Sequence, residues 1–352
     1  MTASSLQFLL KFLYPACNSI SSFHFNPIIG INNDIISTEE SLSQFINSQH
    51  SVKKISFKNG FSLMNSLKNS NCSNTLKIIK FYNIDFKNII NLKEVFEQLN
   101  VLESIHMIYC RFLNSNFIQQ IISISKPFKL TSLFMAEELS TDLLESFSLL
   151  LQKSGEYLEN IDLIPLNDEN SRRQSSELIE RYCTKIKFMI INNRNSNIHL
   201  ALDLIKNVGQ NIRYLDISLI TNDGKHSSIL LLNLGQILPS KLEYLSLTLS
   251  ICTSDLEVFL KNSKNTFIEK LVIQNEMREK SDDILPYIKE YVMKERRIRY
   301  LAILSYYKSE NSGNNELFSL KNEVNEFKLY NIQVKTYWDL NISINDFINE
   351  MY

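Results

Sequence analysis

The sequence predicts an α/β solenoid: one curved parallel sheet with strands on the concave side and helices on the convex side. Three observations predict it. A six-position frame, apolar-x-x-apolar-x-apolar, returns about every 28 residues from one end of the chain to the other. Between the frames, apolar residues recur at steps of three and four, the period of an amphipathic helix. Glycine and proline are scarce, 7 and 6 in 352 residues, which leaves little room for phosphate-cradling loops or long linkers.

The frames begin at Ile20, Val52, Leu76, Leu102, Leu130, Leu158, Ile186, Ile212, Leu242, Ile268, Ile298 and Val324. The clearest read Leu102-Glu103-Ser104-Ile105-His106-Met107, Ile212…Leu215…Ile217 and Leu242…Leu245…Leu247. Each supplies three inward apolar positions, enough for a short strand but not for a core, so about twelve units must stack. Helical stripes lie between them: Leu92, Val95, Phe96 and Leu99; Phe117, Ile118, Ile121 and Ile122; Leu143, Leu144, Phe147, Leu150 and Leu151. Start signals precede several, at Ser140-Thr141-Asp142, Thr253-Ser254-Asp255 and Ser281-Asp282-Asp283, where side-chain oxygens can satisfy first-turn N–H groups. An unbroken strand-turn-helix order forces parallel strands and places every helix on one sheet face. The expected organisation is a single solenoid over residues 1–352. Its cap spans about 335–352, with Trp338 over the open end of the core. Irregular insertions are expected at 30–39, 165–174 and 309–315, polar stretches between periodic segments.

Composition narrows the function classes. Apolar residues make up 44%, enough to fill a continuous core, and the net charge of −1 gives no field to draw the chain to nucleic acid or anionic membranes. The basic pairs Lys53-Lys54, Arg172-Arg173 and Arg296-Arg297 read as solvated faces. Five cysteines without a Cys-x-x-Cys read as reduced thiols, which suits the cytoplasm or nucleus. Cys17, Cys110 and Cys183 fall at repeat seams, where a thiol serves as a small apolar filler. No apolar run reaches the roughly 18 residues that a membrane span needs. The start, residues 6–13, carries Lys11 within its apolar run and reads as the face of a first helix rather than a signal segment.

Two stretches carry a family resemblance: Cys183-x-x-Ile186-x-x-Met189-x-Ile191, and Leu149-Leu150-Leu151-Gln152-Lys153-Ser154-Gly155-Glu156-Tyr157-Leu158-Glu159-Asn160-Ile161. They resemble the cysteine-containing leucine-rich repeats of F-box proteins, in the manner of the large fungal F-box-like families. The resemblance implies a repeat surface that holds a substrate protein for a cullin-type ubiquitin ligase. Residues 1–50 hold no Leu-Pro pair of the kind that opens an F-box, so a cullin-ligase adaptor is a partner only if an F-box lies outside this chain. In the family an Asn or Cys stands eight positions after the first anchor, which only Cys110 matches. Asn stands one position earlier at Asn59, Asn83, Asn193, Asn275 and Asn331, and reads as a turn residue tolerant of left-handed geometry.

The residues give no sign of catalysis. The histidines His24, His50, His106, His199 and His226 are scattered outside metal-ligand spacings, and acidic pairs such as Glu39-Glu40 and Glu137-Glu138 fall where helix dipoles explain them. No enzyme activity, cofactor or metal is expected. The informative surface is the concave one. Strand side chains alternate, so the second and fourth positions after each anchor face the groove. The candidates there are Lys80, His106, Phe134, Asp162, Tyr214, Asp216, Tyr244, Lys270 and Tyr300. Tyr214, Tyr244, Lys270 and Tyr300 should stack as one row on neighbouring strands. That row reads either as a ladder stabilising the sheet or as a binding strip for a protein. The expected function is non-enzymatic protein binding through this face, as the substrate-recognition part of an F-box-like ubiquitin ligase system. The alternative is a ribonuclease-inhibitor-like or GTPase-activator-like regulatory scaffold. Neither nucleic acid nor membrane is an expected partner.

Overall fold

In the computed structural model the frames from Ile20 to Ile298 each become a strand. The structure describes residues 3–26, 35–61, 64–68, 71–87, 89–136, 144–162, 168–192, 198–219, 224–277, 283–307 and 315–352. Most of the expected insertions at 30–39 and 309–315, and the start signal Ser140-Thr141-Asp142, lie outside those residues. The chain divides into two compact units, Met1–Glu159 with Ile348–Tyr352, and Asn160–Phe347.

The first unit runs α1 (Ala3–Ala16), β1 (Ser22–Phe25), α2 (Ile35–Asn47), β2 (Lys54–Phe61), β3 (Ile78–Asp85), α3 (Leu92–Gln98), β4 (Ser104–Cys110), α4 (Ser115–Ile122), β5 (Leu130–Met135) and α5 (Leu144–Ser154). Its strands pair in chain order, all parallel. The shortest step between frames, from Val52 to Leu76, leaves space only for the 3-10 turns Met64–Leu67 and Asn71–Asn74 between β2 and β3. Parallel register sets Ile55 beside Ile79 and Ile79 beside Ile105, and all three are fully buried. Phe23, on the same face of β1, meets Phe45 of α2 with ring centroids 5.3 Å apart, so the anchors look toward the helices. α1 forms as expected, but its Phe8 and Phe12 are exposed and only Leu10 is buried among its described side chains.

The second unit runs β6 (Asn160–Asp162), α6 (Glu169–Tyr182), β7 (Phe188–Asn192), α7 (Ile198–Val208), β8 (Tyr214–Leu219), α8 (Lys225–Ile237), β9 (Tyr244–Leu249), α9 (Thr253–Asn262), β10 (Ile268–Met277), α10 (Leu285–Ile288) and β11 (Ile298–Tyr307). It ends with β12 (Asn315–Glu316), α11 (Lys321–Leu329), β13 (Gln333–Val334), α12 (Tyr337–Leu340) and α13 (Ile344–Met351). From β6 to β11 the pairing is parallel and in chain order, aligning Ile161, Met189, Leu215, Leu245, Leu271 and Leu301 as one buried row.

Several sequence expectations need correction. The sheet is not wholly parallel: the two-residue β12 pairs antiparallel with β11, while β13 pairs parallel with it. The frame at Val324 is helical. Val324 and Phe327, at the helical step of three, fit α11, and Asn331 with φ 62° ends it in the left-handed form. Within 165–174, α6 begins at Glu169. Only Ser171, Ser175 and Ile179 of this helix are buried, so it carries no apolar stripe to read. Asp168 caps it by accepting from the Ser171 N–H at 2.8 Å. Thr253-Ser254-Asp255 lies inside the first turn of α9, whose cap position is Cys252, with no side-chain bond to a first-turn N–H. Arg297 is not on a solvated face. It is buried, and its guanidinium donates to the Leu260 carbonyl at 2.9 Å and to the Ser263 carbonyl and hydroxyl, satisfying the free carbonyl end of α9.

The asparagines seven positions after an anchor do two jobs. Asn59 and Asn83 adopt left-handed backbone, φ 55° and 52°, and their amides form a ladder from Asn83 to Asn59 at 3.0 Å and from Asn59 to Asn26 at 3.2 Å. Asn275 is fully buried, and its Oδ1 accepts from the Ile251 N–H at 3.1 Å, closing the turn that follows the neighbouring strand. Cys110 and Cys183 are buried thiols, each pushed up to about 12 first by burial, as seam fillers should be; Cys17 is half-buried.

Candidate functional site

Alternation along the strands puts the nine candidate residues on the sheet face opposite the anchors. In the second unit the register is direct: Phe188 pairs with Tyr214, Tyr214 with Tyr244, Tyr244 with Lys270, and Lys270 with Tyr300. The expected stacked row therefore exists, and Phe188 extends it by one strand. Tyr214 lies between two rings, 6.1 Å from Phe188 and 6.2 Å from Tyr244. The parallel row four positions after the anchors sets Asp216 beside Ser246, then Val272 and Ala302.

Burial separates this face from an open groove. Tyr244 is 1% exposed, Phe134 and His106 are 0%, and Lys80 and Asp162 are also buried; Tyr214, Asp216, Lys270 and Tyr300 are half-buried. In the second unit the cover is the chain's own C-terminal segment. Tyr337, Leu340 and Ile342 close over Tyr244, Val272, Ala302 and Leu304 as one apolar cluster. Phe347 meets Phe188 at 4.6 Å and Tyr214 at 4.8 Å, edge to face in both cases. Hydrogen bonds orient the segment. The Tyr337 hydroxyl donates to Gln274 at 2.8 Å, and the Tyr244 hydroxyl donates to Asn341 at 3.3 Å while accepting from the Ile342 N–H at 3.2 Å. The sequence assigned residues 335–352 to the end of the repeat stack, but Tyr337, Leu340, Ile342 and Phe347 lie on the second unit's sheet face instead. Trp338 does not close the core end; its ring meets that of Tyr337, with centroids 5.2 Å apart. It is 77% exposed because Tyr337 takes the inward position and the next residue of a helix turns away by about 100°.

In the first unit the face opposite the anchors carries polar groups, Lys80 and His106, beside the buried Phe134. The Lys80 ammonium donates to the Ile348 carbonyl at 2.5 Å and to Asn349 Oδ1 at 3.1 Å, near the carbonyl end of α13, where a cation is favoured. Burial, with Lys54 beside it, pushes the Lys80 ammonium down to about 7. The His106 ring lies between two serines, Nδ1 2.8 Å from Ser132 Oγ and Nε2 3.1 Å from Ser104 Oγ, with the Tyr352 ring 4.6 Å away. Burial first, then Lys80 and Lys54, hold its pKa well below the ordinary histidine value, so it is neutral. The Asp216 carboxyl of the second unit is pushed up to about 6 by burial, against a hydrogen bond from Ser246.

Lys80 and His106 are spent on hydrogen bonds, and among the described residues no cluster of three His, Cys, Asp or Glu side chains could hold a metal. No helix among them is long and apolar enough to cross a membrane. What the face can do is hold a peptide by aromatic contact and a few directed hydrogen bonds. The sequence missed Phe188 as part of the row, and Tyr337, Leu340, Ile342 and Phe347 as its cover. The signal was present: Phe188, Ile190, Val272 and Ala302 are apolar at positions facing away from the core, and an apolar sheet face demands a cover. No protein-family model matches this chain, and no curated protein matches it in sequence.

Proposed function

We propose that the chain is a non-enzymatic protein-binding module of the leucine-rich-repeat kind, and that it serves as the substrate-recognition part of an F-box-like ubiquitin ligase system. The observation that carries the binding reading is the register-matched row Phe188, Tyr214, Tyr244, Lys270 and Tyr300, which already seats a polypeptide segment. Tyrosines with a wide apolar body and a polar tip are favoured at such surfaces, and a rigid sheet holds them in place without further ordering. The ligase reading rests on the family resemblance and on the repeat period alone.

The test is affinity capture from native cells with the full chain and with its Tyr214→Ala/Tyr244→Ala variant. A partner bound by this face should lose on the order of 2–4 kcal/mol of affinity in the variant if the tyrosines are hot spots. A cullin-ligase adaptor in the eluate supports the ligase reading. Capture of an enzyme or GTPase without the adaptor favours the regulatory-scaffold reading. Capture unaffected by the double substitution sinks the face as the binding site.

A further inference from the structure

We infer that residues 337–347 are an intramolecular ligand of the second unit's sheet face, and that the partner of this face is a peptide presenting the same apolar side chains in the same spacing. That spacing is an aromatic residue, an aliphatic one three positions on, another two further, and a phenyl ring five further: Tyr337, Leu340, Ile342 and Phe347. The inference rests on the protein-binding reading above and adds the chemistry of the partner.

The way the segment is attached supports this. The Lys335 N–H donates to the Leu301 carbonyl at 2.9 Å, the last backbone-to-backbone bond from this part of the chain to the sheet among the described residues. Beyond it the backbone-to-backbone bonds are internal, from Leu340 to Thr336, Asn341 to Tyr337 and Phe347 to Ser343, while the Tyr337 N–H donates to the Glu316 carboxylate of β12 and the Ile342 N–H to the Tyr244 hydroxyl. The segment is therefore held by side chains and by the Tyr244 and Gln274 contacts, as a docked peptide is, and lifting it breaks no strand pairing. The recognition it uses is transferable. The Tyr244 hydroxyl reads one backbone N–H and one side-chain oxygen, and the Phe188, Tyr214 and Tyr244 rings with Val272 and Ala302 supply the apolar bed. A tethered ligand enjoys an effective concentration of order millimolar, so a free peptide at micromolar concentration cannot compete with it. A partner reaches the face only by outbidding the tether or after the segment lifts.

The experiment uses the full chain carrying Tyr337→Ser, Leu340→Ser and Phe347→Ser, substitutions in the cover and not in the sheet. The probe is a fluorescent peptide of residues 335–347, read by anisotropy, with the same peptide carrying the three serines as control. The variant should bind the native peptide on the order of 10- to 100-fold more tightly than the unaltered chain does, and neither should bind the control. Amide exchange over β8 to β11 reports whether the sheet persists. A persistent sheet that gains no affinity overturns the inference, and so does loss of the sheet, which would make the segment part of the core. If the peptide binds but cellular capture ignores Tyr214→Ala/Tyr244→Ala, the functional reading fails while the internal ligand stands. If capture depends on the tyrosines but the peptide does not bind, the reverse holds.

Discussion

Asp216 shows how a single residue can carry a measurable pH dependence. Its carboxyl titrates near 6 in the folded chain against 3.8 for the free group, because burial disfavours the anion more than Ser246 supports it. A raised carboxyl pKa means that its stabilising contribution is complete below about 3.8 and is lost as pH rises through about 6. Asp216→Asn should therefore stabilise the protein at pH 7.5 by about 1–3 kcal/mol and by much less at pH 4.5. Denaturant melts at both values check this, and a gain that does not vary with pH would remove Asp216 as its source. Residue identity was legible here only in part. Strand alternation placed Asp216 on the face opposite the anchors, but nothing local in the sequence says how far it is withdrawn from water. The asparagines show another case: Asn59 and Asn83 take left-handed geometry that Asn tolerates better than most residues, yet Tyr109, Phe112 and Arg296 take it too and Asn275 in the same register does not.

Elements were legible where apolar period and length agreed. The frames produced strands because their last two inward side chains, two positions apart, fit strand alternation and can be buried only by stacking. The frame at Val324 failed because its apolar residues also satisfy a helical step, and short runs do not distinguish the two. α6 was missed because serines fill the positions it buries. Packing between helices was not legible at all, and Gly235 marks a close approach. A Cβ there would stand 2.7 Å from the Phe259 carbonyl oxygen and 2.9 Å from Asn262 Cβ, so α8 and α9 approach through this glycine. Gly235→Ala gains helix propensity but overpacks the contact, for a net loss of about 1–2 kcal/mol. Gly209→Ala is the control, since its nearest neighbour, Pro239 Cγ, would lie at an ordinary 3.5 Å. Melting temperatures of the two variants should differ in that order, and equal values would mean the helices part without cost.

For the molecule as a whole, the repeat rule of nearest-neighbour contact holds for the strands and fails for the C-terminus. Ile348–Tyr352 belongs to the first unit, where Lys80 bonds across 268 positions of sequence. No periodicity argument reaches that far, which is why the sequence placed these residues at the end of the stack. Removing Ile348–Tyr352 should leave Lys80 and His106 without their cover and cost about 1–3 kcal/mol. Amide exchange should then quicken in β3 and β4 while β8 and β9 stay protected, and unchanged exchange in β3 and β4 would contradict the role. The same contact has a consequence during synthesis. The ribosome must add all of Asn160–Phe347 before the residues that finish the first unit exist, a wait of roughly 10–40 s at ordinary translation rates. Through that interval Lys80 and His106 stand without the segment that covers them in the finished fold, so the first unit is completed only after the second has been made.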